Sequence, residues 1–158
     1  MTRALSWVAL GLLFAASGPS ADNTSATAAG HTDGSLGLVV EAAGFSNNRG
    51  HAMAMLFRPG ANVLSKKAAY RIVSGDILGK KARLEFPALP EGDYALVVFH
   101  DENDNAVVDH NFLGLPSEQL GFSNGFRPGL LSGMPSFEKL RFKLARPGNP
   151  FGLAISVK

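Results

Sequence analysis

The sequence predicts an all-β fold, an antiparallel β-sandwich of about seven short strands with one long irregular loop. Three observations predict it. Apolar residues recur at every second position in six separate segments. Turn-forming residues stand between those segments. The 18 glycines and 9 prolines among 158 residues suit a chain of short strands joined by many turns.

In chain order, Leu38, Val40 and Ala42 alternate with Val39, Glu41 and Ala43. His51, Met53, Met55 and Phe57 then share one face, with Ala52, Ala54 and Leu56 on the other. Asn47-Asn48-Arg49-Gly50 between these two runs predicts a hairpin. Ala61 to Ala69 is the one candidate helix, with Asn62 as its cap. Pro59-Gly60, Ser74-Gly75-Asp76 and Pro90-Glu91-Gly92-Asp93 read as breaks. Leu84 and Phe86 point opposite to Arg83 and Glu85. Tyr94 to Phe99 is apolar on both faces, which predicts a central strand. Leu140, Phe142 and Leu144 oppose Arg141 and Lys143, and Phe151, Leu153, Ile155 and Val157 close the series. Met53 and Met55 read as core filler rather than copper ligands. No internal repeat is evident.

The N-terminus reads as a secretory signal over residues 1–21. Arg3 is its positive end, Ala4 to Ala16 its apolar run, and small residues follow. Residues 22–35 have little to bury and predict a flexible lead-in. Residues 36–158 then form a single sandwich domain in the periplasm or outside the cell. No later segment is long and apolar enough to cross a bilayer. The chain has no cysteine, which excludes disulfides, thiolate metal sites and a cysteine nucleophile. A formal charge of +2 is too small to steer the domain toward nucleic acid.

Two neighbouring stretches carry the functional signal. Asn111 to Pro135 has no clean period, and its glycines, prolines and interspersed phenylalanines predict a long loop that packs down. Just before it, His100-Asp101-Glu102-Asn103-Asp104-Asn105-Ala106-Val107-Val108-Asp109-His110 leaves the central strand. Counting Asp101 as position one, Asn103, Asn105 and Asp109 fall at three, five and nine, and Val107 can offer a carbonyl from seven. This is the oxygen spacing of a calcium loop. Position twelve is Phe112 rather than glutamate, so Glu118 or Glu102 would have to close the site. An all-oxygen set suits Ca²⁺ over zinc or copper, with an affinity on the order of 10⁻⁴ to 10⁻³ M. The competing reading is a turn braced by Asx hydrogen bonds with no ion.

Other chemistry is weaker in the sequence. His100 and His110, with His51, form a candidate zinc or copper set without supporting spacing, and His100 alternatively caps a strand end. Ser123, Ser132 and Ser136 lack a nucleophile elbow. Asp101 and Glu118 are the candidate acid and base of an envelope glycan hydrolase or lyase, although nothing in the spacing singles them out. Lys66, Lys67, Arg71, Lys80, Lys81 and Arg83 are a candidate patch for a lipid headgroup or polysaccharide. Solvated edge lysines that block aggregation are the plainer reading.

The run Phe99-His100-Asp101-Glu102-Asn103, then Asp109, Asn111-Phe112-Leu113-Gly114-Leu115-Pro116, Gly121-Phe122-Ser123-Asn124 and Pro135-Ser136-Phe137-Glu138 resembles the bacterial domain-of-unknown-function family 2141. Leu89-Pro90-Glu91-Gly92-Asp93-Tyr94-Ala95-Leu96 resembles the Gly-x-Tyr strand entry of such sandwiches. The resemblance implies a small exported sandwich, prealbumin/immunoglobulin-like, and carries no activity with it. It also implies glycine where this chain has Ala106. Calcium loops use glycine there for a turn with positive φ, so Ala106 weighs against an ion. The expectation is therefore an exported, non-enzymatic binding or accessory module with a weak calcium site in its acidic loop. Its partner would be a protein or an envelope ligand. The rivals are the glycan enzyme and a purely structural accessory domain.

Overall fold

In the computed structural model, residues 36–109, 112, 116–129, 131–146 and 150–158 are described. The predicted leader and lead-in, His110 and Asn111 lie outside them. Eight strands form two sheets. The smaller has β1 (Leu36–Ala43) between β4 (Lys81–Leu89) and β8 (Phe151–Ser156). The larger runs β3 (Arg71–Asp76), β2 (His51–Phe57), β5 (Gly92–Asp101), β6 (Leu120–Phe122). The last strand, β7 (Phe142–Leu144), pairs the start of β5, while β6 pairs its second half.

The period-two pattern places the core. Leu38, Val40 and Ala42 of β1 and Leu84 and Phe86 of β4 meet Ala52, Ala54 and Leu56 of β2 and Leu96 and Val98 of β5 between the sheets. The other face of the larger sheet is dry as well where β2 and β5 are covered, though not over β3. There Met53, Met55 and Phe57 of β2 and Ala95, Val97 and Phe99 of β5 pack against Phe122, Phe137 and Leu140 from the chain that lies across them. This is why β5 is buried from Tyr94 to Asp101. Each large side chain so buried contributes about 1.5–3 kcal/mol, so both faces of this strand matter comparably. Of the long segment's phenylalanines, Phe122 packs down and Phe126 does so in part, whereas Phe112 is 94 % exposed; Met53 and Met55 are core.

Five local expectations are corrected. Asn47 to Gly50 does not close a hairpin, because β1 and β2 lie in different sheets. Its polar side chains hold a crossover instead: Asn47 Oδ1 accepts the Arg49 N–H at 2.8 Å, and Asn48 Oδ1 accepts the Lys80 N–H at 2.8 Å. One ladder is parallel rather than antiparallel, with β8 beside β1 from Leu38↔Phe151 to Ala43↔Ser156. Ser74-Gly75-Asp76 is strand and not a break. A Cβ on Gly75 would stand 2.9 Å from Leu84 Cδ2, so glycine there permits close packing on β4. The helix over Ala61 to Ala69 is only a 3₁₀ turn at Lys66–Ala68, while Asn62 Oδ1 accepts the Leu64 N–H at 3.0 Å. A four-residue helix, α1 (Phe137–Leu140), also precedes β7 where strand was expected. No helix among the described residues is long and apolar enough to cross a membrane.

Candidate functional site

The acidic turn begins where β5 ends, and a buried charge organises it. Asp101 is 2 % exposed. Its Oδ1 accepts the Asn105 N–H at 3.0 Å, and its Oδ2 accepts the Ala106 N–H at 2.7 Å. Two Asx turns follow. Asn103 Oδ1 accepts the Asn105 N–H at 3.2 Å, and Asn105 Oδ1 accepts the Val107 N–H at 2.7 Å. Both amide groups then donate to Asp109: Asn103 Nδ2 at 2.7 Å and Asn105 Nδ2 at 3.1 Å to each oxygen. The side chains of Asp101, Asn103, Asn105 and Asp109 are thus brought into one hydrogen-bonded cluster. Val107 enters it through its N–H, while its side chain is exposed.

Glu118 approaches from across the turn. Its carboxylate accepts the Asp109 N–H at 3.4 Å, and the Asp109 carbonyl accepts the Ser117 N–H at 2.8 Å. Burial holds the Glu118 carboxyl above its ordinary pKa, and the charges of Asp101 and Asp109 add to that. Glu102 points the other way, to Arg49. A hydrogen bond from Asn47, followed by that arginine, holds its pKa low.

Ala106 has φ +57, the left-handed region that calcium loops reserve for glycine. That conformation costs an L residue about 1–2 kcal/mol. The half-buried methyl that Ala106 adds to the outer core returns less than about 1 kcal/mol. Ala106→Gly is therefore expected to stabilise the fold by up to about 1 kcal/mol, read from the urea midpoint. A clear loss would show that packing outweighs strain. The Lys66 ammonium donates to the Ala106 carbonyl and ties the 3₁₀ turn to the loop.

The histidines do not assemble a metal set. His100 is buried, its Nε2–H donates to the Arg49 carbonyl at 2.8 Å, and its Nδ1 lies 3.3 Å from Ser46 Oγ. Its ring stands edge-on to Phe45, 5.4 Å between centroids. This is the strand-end role, with both nitrogens occupied. His51 is exposed and pairs with Asp104, Nδ1 to Oδ1 at 2.5 Å. His110 lies outside the described residues. No three His, Cys, Asp or Glu side chains among the described residues are grouped to hold a metal. A cation at the acidic turn would thus rest on carboxylates supplemented by amide and backbone oxygens.

The Asp104 hydrogen bond, followed by its charge, holds the His51 imidazolium and raises its pKa. Because the folded value exceeds the unfolded one, this contribution is fully present below about pH 6.5 and fades as pH rises through the raised value. Asp104→Asn is expected to flatten the fall in urea midpoint between about pH 6 and 8. An unchanged slope would detach the pair from stability.

The remaining sequence candidates are structural in their contacts. Ser123 is buried, its Oγ accepting the Leu96 N–H at 2.9 Å and standing 2.6 Å from the Leu140 carbonyl it donates to. Ser132 Oγ donates to the Arg127 carbonyl at 2.6 Å, and Ser136 precedes α1 without a side-chain cap. Of the candidate acid–base pair, Asp101 accepts one backbone N–H on each oxygen inside the fold, and Glu118 accepts the Asp109 N–H. Arg83 bridges Glu41 and Glu85, and Arg71 donates to the Pro87 carbonyl at 2.7 Å. Lys66 donates to the acidic turn, so Lys66, Arg71 and Arg83 serve separate local contacts.

Two features escape sequence reading. Gly50, with φ +63, abuts the backbone at Asp101, and only its glycine identity hinted at this. Two hollows beside the long segment, one of them apolar, join side chains far apart in sequence, which no local pattern reveals.

Comparison with known proteins leaves the chain with few neighbours. No curated protein and no solved structure matches it. One family model does, over residues 40–150, and it covers the acidic turn, the long segment, all strands of the larger sheet and, of the smaller, β4 and half of β1. The chain therefore belongs to the family described as uncharacterized protein conserved in bacteria (DUF2141).

Proposed function

We propose that the chain is an exported, non-enzymatic binding module, periplasmic or secreted, whose acidic turn takes up calcium weakly. The observation that carries the reading is the clustering of positions one, three, five and nine of the turn, Asp101, Asn103, Asn105 and Asp109, by the bonds above. Asp101 braces the backbone at positions five and six, which fixes the loop before any ion arrives. An oxygen that accepts one hydrogen bond keeps a lone pair for a hard cation. Asp109 and Glu118 add negative charge that a dication neutralises, and the Val107 carbonyl is the remaining donor. Calcium would rigidify the turn and the long segment beyond it, not perform chemistry. Contact with a protein or envelope partner would then fall at this end of the sandwich.

Calcium on the order of 10 mM would exceed the expected dissociation constant by about 10- to 100-fold, which stabilises the fold by about 1.4–2.7 kcal/mol. The melting temperature is expected to rise by several degrees in calcium and to return with chelator. Asp109→Asn, which keeps an acceptor but removes the charge, is expected to lose most of the rise. An identical melting curve in calcium and chelator would overturn the ion and favour the purely structural reading.

A further inference from the structure

We infer that the described part of the long segment, residues 116–129 and 131–135, covers a binding groove for a single-chain anionic amphiphile, a site that adjoins the acidic turn at Glu118. One hollow lies between this segment and the outer face of the larger sheet, and a second lies beside it, between the segment, β6 and β8 of the smaller sheet. The inner one holds about 350 Å³ and is lined only by apolar side chains, among them Met55 and Val97 from the sheet, Val63 and Leu64 from the β2–β3 connection, and Met134 and Pro135. The outer one holds about 530 Å³. They share Pro116, Leu120, Phe122 and Pro128 as walls, so they form one groove.

The groove is polarised. Its inner end offers no hydrogen-bonding side chain, whereas its outer end carries Arg127 and Lys158 beside Glu118. Neither cation has an ion-pair partner among the described residues. Two side-chain cations there outnumber one side-chain carboxylate. An apolar chain laid along Met55 and Val97 would place an acidic head at Arg127, whose fork suits a carboxylate or phosphate. Each hollow falls within the roughly 300–1,000 Å³ of small-molecule sites. Leu64 and Met134, 49 % and 68 % exposed, stand at the inner rim, where apolar side chains would otherwise be left to water.

The test titrates the full chain with hexadecanoic acid below its aggregation limit, with hexadecanol, and with acetate. Saturable binding of one acid per chain is expected, with no binding of acetate. Arg127→Gln is expected to weaken the acid by about tenfold and leave the alcohol unchanged. Leu120→Trp, which fills the shared wall, is expected to abolish both while circular dichroism stays native. A parallel arm sediments the protein with vesicles of anionic phospholipid. Uptake of lipid into the supernatant complex supports the groove and identifies the membrane as its source. Absence of saturable acid binding overturns it, as does binding indifferent to Leu120→Trp. Co-sedimentation with vesicles without binding of free acid overturns it too, because the face would then be a membrane-docking surface.

Discussion

Gly50→Ala is expected to be among the most destabilising substitutions at the acidic end of the sandwich. Gly50 sits at φ +63, a conformation that costs alanine about 1–2 kcal/mol. Steric contact adds more than that strain. An added Cβ would lie 1.9 Å from the Asp101 carbonyl oxygen, 2.8 Å from Glu102 Cα and 2.9 Å from Asp101 C. All three are backbone atoms at the end of β5, so no side-chain rotation relieves the overlap. The end of β5 must move, and it would pull the Arg49 carbonyl from His100 and disturb the base of the turn. A loss of about 4 kcal/mol or more is expected, in the exceptional range for a point change. Gly60→Ala separates strain from contact. Gly60 also has positive φ, +81, but nothing lies within 4 Å of its added Cβ. It is expected to cost only about 1 kcal/mol by urea unfolding. Equal losses at the two glycines would mean that close approach plays no part.

Asp101→Ala is expected to cost about 3–5 kcal/mol. The carboxylate is buried and accepts two backbone N–H groups, and hydrogen bonds to a charged group are worth about 1.5–3 kcal/mol each. Asp101→Asn is expected to be nearly as damaging. Its amide oxygen can take one N–H, but its NH₂ would then face the other, donor against donor. Asp104→Ala is the contrast: Asp104 is exposed and holds only His51, so less than about 1 kcal/mol is expected. Urea midpoints measure the three losses. Amide exchange adds a local reading, since protection at Asn105 and Ala106 should vanish in Asp101→Ala even below the unfolding transition. Persistent protection there would show that the turn stands without its carboxylate.

The parts of the fold governed by alternation were legible in the sequence. Met53, Met55 and Phe57 go to one core and Ala52, Ala54 and Leu56 to the other, as period two requires. The double apolar character of Tyr94 to Phe99 marked a strand dry on both faces. Pairing was less legible. Asn47 to Gly50 has the residues of a tight turn, but the partner that captures Asn48 is Lys80, 32 positions away. The parallel register of β8 on β1 is equally non-local, because both strands read the same whichever way a neighbour runs. Ser74-Gly75-Asp76 looked like a break because glycine was weighed as a turn former. Its role, clearance for Leu84, depends on a strand not yet placed.

At the site, the spacing of Asp101, Asn103, Asn105 and Asp109 indicated a compact oxygen-rich turn, and the positive φ of Ala106 fits the position where glycine was anticipated. The burial of Asp101 could not be read, since an acidic residue in a polar run is usually solvated. The groove was hidden for the same reason as the pairing. Met55, Val97, Leu120 and Pro135 each look like ordinary core, and only their shared gap sets them apart.

The most direct test of the calcium reading is anomalous scattering from crystals of the protein grown with millimolar calcium and without chelator. A peak is expected inside the turn, within bonding reach of oxygens from Asp101, Asn103, Asn105 and Asp109 and of the Val107 carbonyl, at about 2.3–2.6 Å. A turn closed by the same internal hydrogen bonds, with no anomalous peak at saturating calcium, would contradict it.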